Sequence, residues 1–195
     1  MPVKLNSTGG GSVTLDVGST ATNFTQTLPS ATGTLLIPGQ ASAIVSGTAV
    51  TASGTAVDFT GIPSWVKRIT VLCSGVSTNG SSNLIVQLGT SGGVVTSGYL
   101  STLGSVTTAS AGTTNATNGF VFSSVNSSST TSGTVSICTL GSNIWVFSGV
   151  TKDSTADTNL SGGDITLGGT LDRIRITAIN GTDAFDAGTI NILYE

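Results

Sequence analysis

Apolar residues along this chain fall in short runs of Val, Ile, Leu and Thr-flanked Phe, separated by Gly, Ser, Asn and Asp. No window sets Ala, Leu, Glu, Lys or Gln at the i, i+3, i+4 spacing of a helical face. β-Branched runs bounded by turn residues predict strands, and the candidates are 13–17, 23–28, 43–49, 57–59, 66–74, 84–88, 94–100, 119–125, 134–140, 144–150, 165–167, 173–179 and 189–194. Asn79-Gly80, Ser91-Gly92-Gly93 and Asn180-Gly181 supply the turns between them. Two runs alternate with period two. Ile174, Ile176 and Ala178 oppose Arg173, Arg175 and Thr177, and Ile190, Ile192 and Tyr194 oppose Asn191 and Leu193, so each predicts a half-buried strand. Many short strands with no intervening helix predict an all-β fold, an antiparallel β-sandwich of jelly-roll type.

The first forty residues differ in texture. They are rich in Gly and Thr, and their isolated apolar residues (Val13, Leu15, Phe24, Leu28, Leu35, Leu36 and Ile37) can be buried only against another surface. This predicts an extended β arm over 1–38, used for attachment, and a β-sandwich body over 39–195, with the boundary at Ile37-Pro38-Gly39. The repeat SGTAV, at 46–50 and 53–57, is too short for a solenoid and fits one strand and its turn.

Composition narrows the chemistry. Gly, Ser and Thr supply 89 of 195 residues, and only 8% are charged, against roughly 25% in an ordinary soluble domain. A net charge of −3 draws in no polyanion, so nucleic acid is not an expected partner. Histidine is absent, which removes every Ser-His-Asp or Cys-His device and every imidazole metal ligand. Hydrophobic residues reach 37% and mean hydropathy is +0.34, enough to build a core. No run approaches the ~18 apolar residues of a membrane helix, so no membrane insertion is expected. The opening Met-Pro-Val-Lys-Leu-Asn lacks a secretory h-region, and synthesis and assembly in a cytoplasm are expected. Cys73 and Cys138 lie in apolar runs and are expected to be small buried hydrophobes; two cysteines without histidine give no zinc spacing.

Candidate sites are few. Gly9-Gly10-Gly11 lacks the lysine and following helix of a phosphate cradle. From Asp153 to Asp164, oxygen side chains fall at positions 1, 5, 7, 9 and 12, partly matching a calcium loop. Thr158 stands where that turn wants Gly, so a solvated β-loop is the favoured reading. Asp183 with Asp186, or Asp164 with Asp172, could be nominated as a glycan-cleaving pair, although such Asp residues are common in β-turns. Trp65 and Trp145 lie in strand-like runs and predict core or interface roles, whereas Tyr99 is the first choice for an exposed binding face. Lys67-Arg68 and Arg173/Arg175 are expected to pair with Asp58, Asp172 or Asp186, with a phosphate or sialic-acid contact as the lesser alternative. No catalytic, cofactor or metal residue emerges, and no cofactor is expected.

Three segments, SVTLDVGSTATNFTQTLPSATGTLLI, FTGIPSWVKRITVLCSGVSTNGSSNLIVQLGTSGGVVTSGYL and LDRIRITAINGTDAFDAGTINILYE, resemble small tail-fibre-like and other virion proteins of tailed bacteriophages and cyanophages. The resemblance leaves 101–132 unmatched. It implies a non-enzymatic virion protein, a homotrimer whose arm docks on other virion proteins and whose β-sandwich faces a host-surface glycan or protein. A capsid decoration protein clamping capsomers is the alternative, and a glycan depolymerase a minor one. The resemblance carries no site residues and names no receptor-binding residue.

Overall fold

The computed structural model describes residues 3–6, 9, 12–15, 44–153 and 157–195. The chain divides into two units, Met1–Ala41 and Ser42–Glu195. In the first, β1 (Val3–Asn6) and β2 (Ser12–Leu15) form an antiparallel hairpin in which Val3 faces Leu15 and Asn6 faces Ser12. The expected strand at 23–28, and Phe24, Leu28, Leu35, Leu36 and Ile37, lie outside the described residues.

The second unit is an antiparallel sandwich with no helix among its described residues. Its strands are β3 (Val45–Ser46), β4 (Val50–Thr51), β5 (Ala56–Thr60), β6 (Arg68–Thr78), β7 (Leu84–Thr90), β8 (Gly93–Val94), β9 (Leu100–Val106), β10 (Ala111–Ala116), β11 (Phe120–Ser123), β12 (Thr131–Gly141), β13 (Ile144–Lys152), β14 (Thr158–Thr166), β15 (Arg173–Ala178) and β16 (Phe185–Tyr194). The larger sheet runs β10-β9-β14-β13-β12-β6-β16, with β3 and β4 on the far side of β16; the smaller runs β11-β7-β15-β5, with β8 beside β7. Strands pair in nested fashion, β5 with β15, β6 with β12, β7 with β11 and β9 with β10. The connections between these strands, except the β9–β10 hairpin, cross from one sheet to the other. That is jelly-roll connectivity. The β13–β14 hairpin is inserted into it between β12 and β9, and β16 widens the sheet beyond β6.

The core lies where the smaller sheet covers the larger. Ile174 and Ile176 of β15 and Ile190 of β16 are fully buried, and Ile192 nearly so, as their alternation predicts. Phe120 stacks on Phe147 (centroids 4.7 Å, 3° between planes) and meets Tyr99 edge-on (4.9 Å, 89°). Such pairs add about 0.5–1.5 kcal/mol beyond the area they bury. Strand β7 is buried on both faces: Leu84, Val86 and Leu88 join the main core, whereas Ile85 packs with Leu103, Ala116 and Val121. Gln87 Nε2 donates to the Asn118 carbonyl (2.7 Å), tying the 116–119 segment over this strand.

Several expectations are corrected. The run 94–100 is not one strand: β8 stops at Val94, Gly98 takes φ 85°, and β9 starts at Leu100. Strands β9, β10 and most of β14 were not signalled by hydropathy. Cys73 is buried, but Cys138 is half-buried on the outer face of β12, and both are free thiols. Cys138 pairs in register with Arg68, five residues along β6 from Cys73, roughly 16 Å away. A disulfide between them is excluded.

Candidate functional site

Three connections meet at one end of the sandwich around a hollow of about 140 Å³: the β5–β6 segment, the β12–β13 turn and the β14–β15 segment. Backbone bonds hold them together. Ile62 N–H donates to Asp172 O (2.9 Å), Val66 N–H to Pro63 O (3.1 Å), Thr139 N–H to Lys67 O (3.0 Å) and Leu167 N–H to Asn143 O (2.9 Å). Ser142 and Asn143 both take positive φ (51° and 61°), giving a two-residue turn whose twist matches its strands. Thr139 Oγ1 braces that turn by donating to Ile144 O (3.1 Å) and accepting Gly141 N–H (3.0 Å).

Trp145 forms one wall of the hollow. The residue is 4% exposed, and its buried Nε1–H has no acceptor among the described residues. An orphaned buried donor costs about 1–3 kcal/mol. Lys67 stands at the rim, exposed and without an ion pair among the described residues. The arginines are all engaged: Arg68 with Glu195, Arg173 with Asp172 (2.7 Å) and Arg175 with Asp58 (2.7 Å). Asp58 accepts two parallel bonds from Arg175 Nε and Nη2, which lift the guanidinium above its ordinary range.

The structure sorts the residues singled out from sequence. Trp145 is in the core as expected. Trp65 is not in a strand: it sits in the turn after Pro63, 52% exposed, with its ring 5.9 Å from that of Tyr194. Tyr99 is not on an exposed face. It is 1% exposed, and its Oη accepts Leu88 N–H (2.6 Å) and faces the carbonyls of Val95 (3.1 Å) and Leu88 (3.3 Å). Arg68 pairs with Glu195 rather than with Asp58, Asp172 or Asp186, because β16 brings the chain end alongside β6.

From Thr158 the Asp153–Asp164 run is strand β14 rather than a loop, calcium-binding or solvated, and 154–156 lie outside the described residues. Asn159 turns inward and Asp164 outward, so its oxygens face both sides of the sheet. Asp153 Oδ1 instead accepts Asp157 N–H across the hairpin end (3.2 Å). Asp164 belongs to the larger sheet, whereas Asp172 is held by Arg173 at the start of the smaller sheet's β15. Asp183 accepts Asn180 Nδ2–H (2.6 Å) and Ser82 N–H (2.9 Å), which hold its carboxyl below the usual range, and Asp186 accepts the Ser77 hydroxyl. Asp153, Asp172, Asp183 and Asp186 thus each serve a structural bond. Of the Gly9-Gly10-Gly11 cluster, only Gly9, between β1 and β2, is described. Among the described residues no group of three Cys, Asp or Glu side chains gathers around a metal-sized space.

Sequence reasoning missed Ser64, Ser142, Asn143 and Thr170, which line the hollow with side chains making no bond among the described residues. The only advance signal was the turn-prone Gly141-Ser142-Asn143. Comparison with protein-family models, curated proteins and solved structures finds no match.

Proposed function

We propose that this chain is a non-enzymatic structural protein of a phage virion: a homotrimeric, tail-fibre-type receptor-binding protein, held to the particle by residues 1–38 and presenting its jelly roll to the host surface. One observation carries the reading. The outer face of the larger sheet leaves Leu100 (66% exposed), Val106 (48%), Val150 (53%) and Leu160 (50%) open among Thr, Ser and Gly. Leu160 and Val150 are cross-strand partners, with Gly104 and Thr134 on either side in the same row. Apolar residues on a broad sheet face with few charges favour contact with further copies of the chain. The sequence resemblance supports the trimer and the virion setting, and jelly rolls serve widely as capsid and lectin modules. That last support is an analogy of fold.

Antibody labelling of purified particles tests the placement: signal at the tail supports a fibre, and even coverage of the head replaces it with capsid decoration. Adherence of the 39–195 body to host cells supports receptor binding. Release of reducing sugar from host capsule overturns the non-enzymatic reading.

A further inference from the structure

We infer that Asn79 is a site of spontaneous deamidation: the backbone nitrogen of Gly80 attacks its side chain, ammonia leaves, and aspartate or isoaspartate remains between β6 and β7. This stands apart from the virion reading and needs no partner.

The chain holds three Asn-Gly steps, at 79, 118 and 180. Glycine after asparagine permits ring closure, because no side chain crowds the backbone nitrogen as it approaches Cγ. The fold then separates the three. At Asn180 the Gly181 N–H, which must lose its proton, already donates to Ala178 O (2.9 Å). Its carboxamide is tied at both ends, Nδ2 donating to Asp183 (2.6 Å) and Oδ1 accepting the Thr182 and Asp183 N–H groups (3.0 and 3.1 Å). At Asn118, Nδ2 donates to Ile179 O (3.1 Å) and the backbone carbonyl accepts Gln87 Nε2–H (2.7 Å). Gly119 is buried against Ile85, away from solvent base. Both steps are locked.

Asn79 is open. It is exposed, and Gly80 lies in a bend outside the strands, with an N–H that makes no bond among the described residues. Of the Asn79 carboxamide only Oδ1 is engaged, accepting Ala184 N–H (2.9 Å). Negative charge builds on that oxygen as nitrogen attacks Cγ, so this donor stabilises the tetrahedral adduct.

Solvent base removes the Gly80 N–H proton, and the nitrogen bonds to Asn79 Cγ. Nδ2 takes up a proton and leaves as ammonia, which closes a five-membered imide. Water then adds to one imide carbonyl and breaks its bond to the Gly80 nitrogen. Opening at Cγ gives aspartate, and opening at the backbone carbonyl gives isoaspartate. Water enters, ammonia departs and nothing is oxidised or reduced.

The site lies at a corner that ties the β6–β7 connection to the turn before β16. Asn79 N–H donates to Ala184 O (3.0 Å), Ser82 N–H to Asp183 (2.9 Å) and Asn180 N–H to Ser82 Oγ (3.1 Å). A Cβ at 80 would collide with the Asp183 carboxylate, so the new anion arises beside an existing one. Repulsion between them, with the extra backbone methylene of isoaspartate, loosens this corner.

The test ages the full chain at pH 7 and pH 9, native and in urea, and reads amide loss at each asparagine by peptide mapping with mass spectrometry. In the native chain Asn79 is expected to convert at least about tenfold faster than Asn118 or Asn180, and in urea all three at rates within about threefold. Conversion should rise steeply with pH, since the amide nitrogen must lose its proton. The product should elute with one more negative charge on a chain of net −3, and should melt below the parent. Asn79→Gln, which closes its larger ring far more slowly, should abolish this acidic species. Equal native conversion at Asn118 or Asn180 overturns the selection by the fold. An amide retained at native Asn79 while the chain in urea converts overturns the open site. An acidic species that persists in Asn79→Gln overturns its position, a rate flat in pH overturns the imide route, and equal melting overturns the loosening of the corner.

Discussion

Tyr99 shows how a single buried hydroxyl joins two strands. Its Oη accepts the Leu88 N–H of β7 and faces the carbonyl of Val95 beyond β8, fixing the irregular stretch between β8 and β9. Tyr99→Phe preserves the ring contact with Phe120 but leaves that N–H buried and unpaired. Thermal or urea unfolding should show a loss of about 1–3 kcal/mol. Tyr99 and Cys73 also make stability depend on alkaline pH. Burial pushes both groups up to about 12, from 10.0 for the phenol and 9.0 for the thiol. The unfolded chain therefore releases these protons first. Their contribution is complete below pH 9 and is lost as pH rises toward 12, by a few kcal/mol in total. Melting curves across this range should fall steeply, and Cys73→Ala should flatten the part between 9 and about 12. The same burial protects the thiol: iodoacetamide should label Cys138 in the native protein and reach Cys73 only on unfolding.

At the level of strands, backbone crowding separates glycines that are needed from those that are not. Gly188 takes φ 95° at a bulge where β16 shifts register against β6, and a Cβ there would lie 2.5 Å from Gly75 O and from the Val76 backbone. Main chain cannot step aside as a side chain can. Gly188→Ala should cost about 3 kcal/mol or more, a fall on the order of 10 °C in Tm. Gly162 in β14 has no such constraint, its nearest contact being Phe147 O at 3.8 Å. Gly162→Ala should leave the isolated body as stable or raise it by about 0.5–1 kcal/mol. The same contrast explains which strands were legible. β15 and β16 bury Ile on one face and show polar residues on the other, so period two is written in their sequences. β14 does the reverse, with Asn159 inside and Leu160 outside, and hydropathy misleads there. β9 and β10 are mostly Ser, Thr, Gly and Ala, residues that signal turns as readily as strands. Trp65 and Tyr99 exchanged their expected places because Pro63 sets a turn before β6, while Tyr99 finds backbone partners for its hydroxyl inside. Trp145 was legible as a core ring and Lys67 only as an ion-pair partner, while Ser64, Ser142 and Thr170 do not stand out among 62 Ser and Thr.

For the molecule as a whole, the question is what covers the larger sheet. Its inner face meets the smaller sheet, whereas the outer face carries Leu100, Val106, Val150 and Leu160 toward solvent. Arg68, Lys152, Asp164 and Glu195 lie toward the ends of their strands, leaving the Leu160–Val150 centre without charge. A stable contact between copies buries about 800 Å² per partner, and a sheet of seven full strands with two short ones beside them offers a surface of that order. If the trimer proposed above forms through this face, light scattering on the full chain gives three times the 19.2 kDa of one protomer. Leu160→Asp would place a desolvated carboxylate at the middle of the contact with no partner, and should shift the mass to that of a monomer while the melting of the isolated body stays nearly constant. Ser127→Asp adds the same charge on an exposed loop away from this face and should leave the trimer intact. If both variants stay trimeric, the copies meet through another surface; if the parent chain is already a monomer, the apolar centre of this sheet has a different partner.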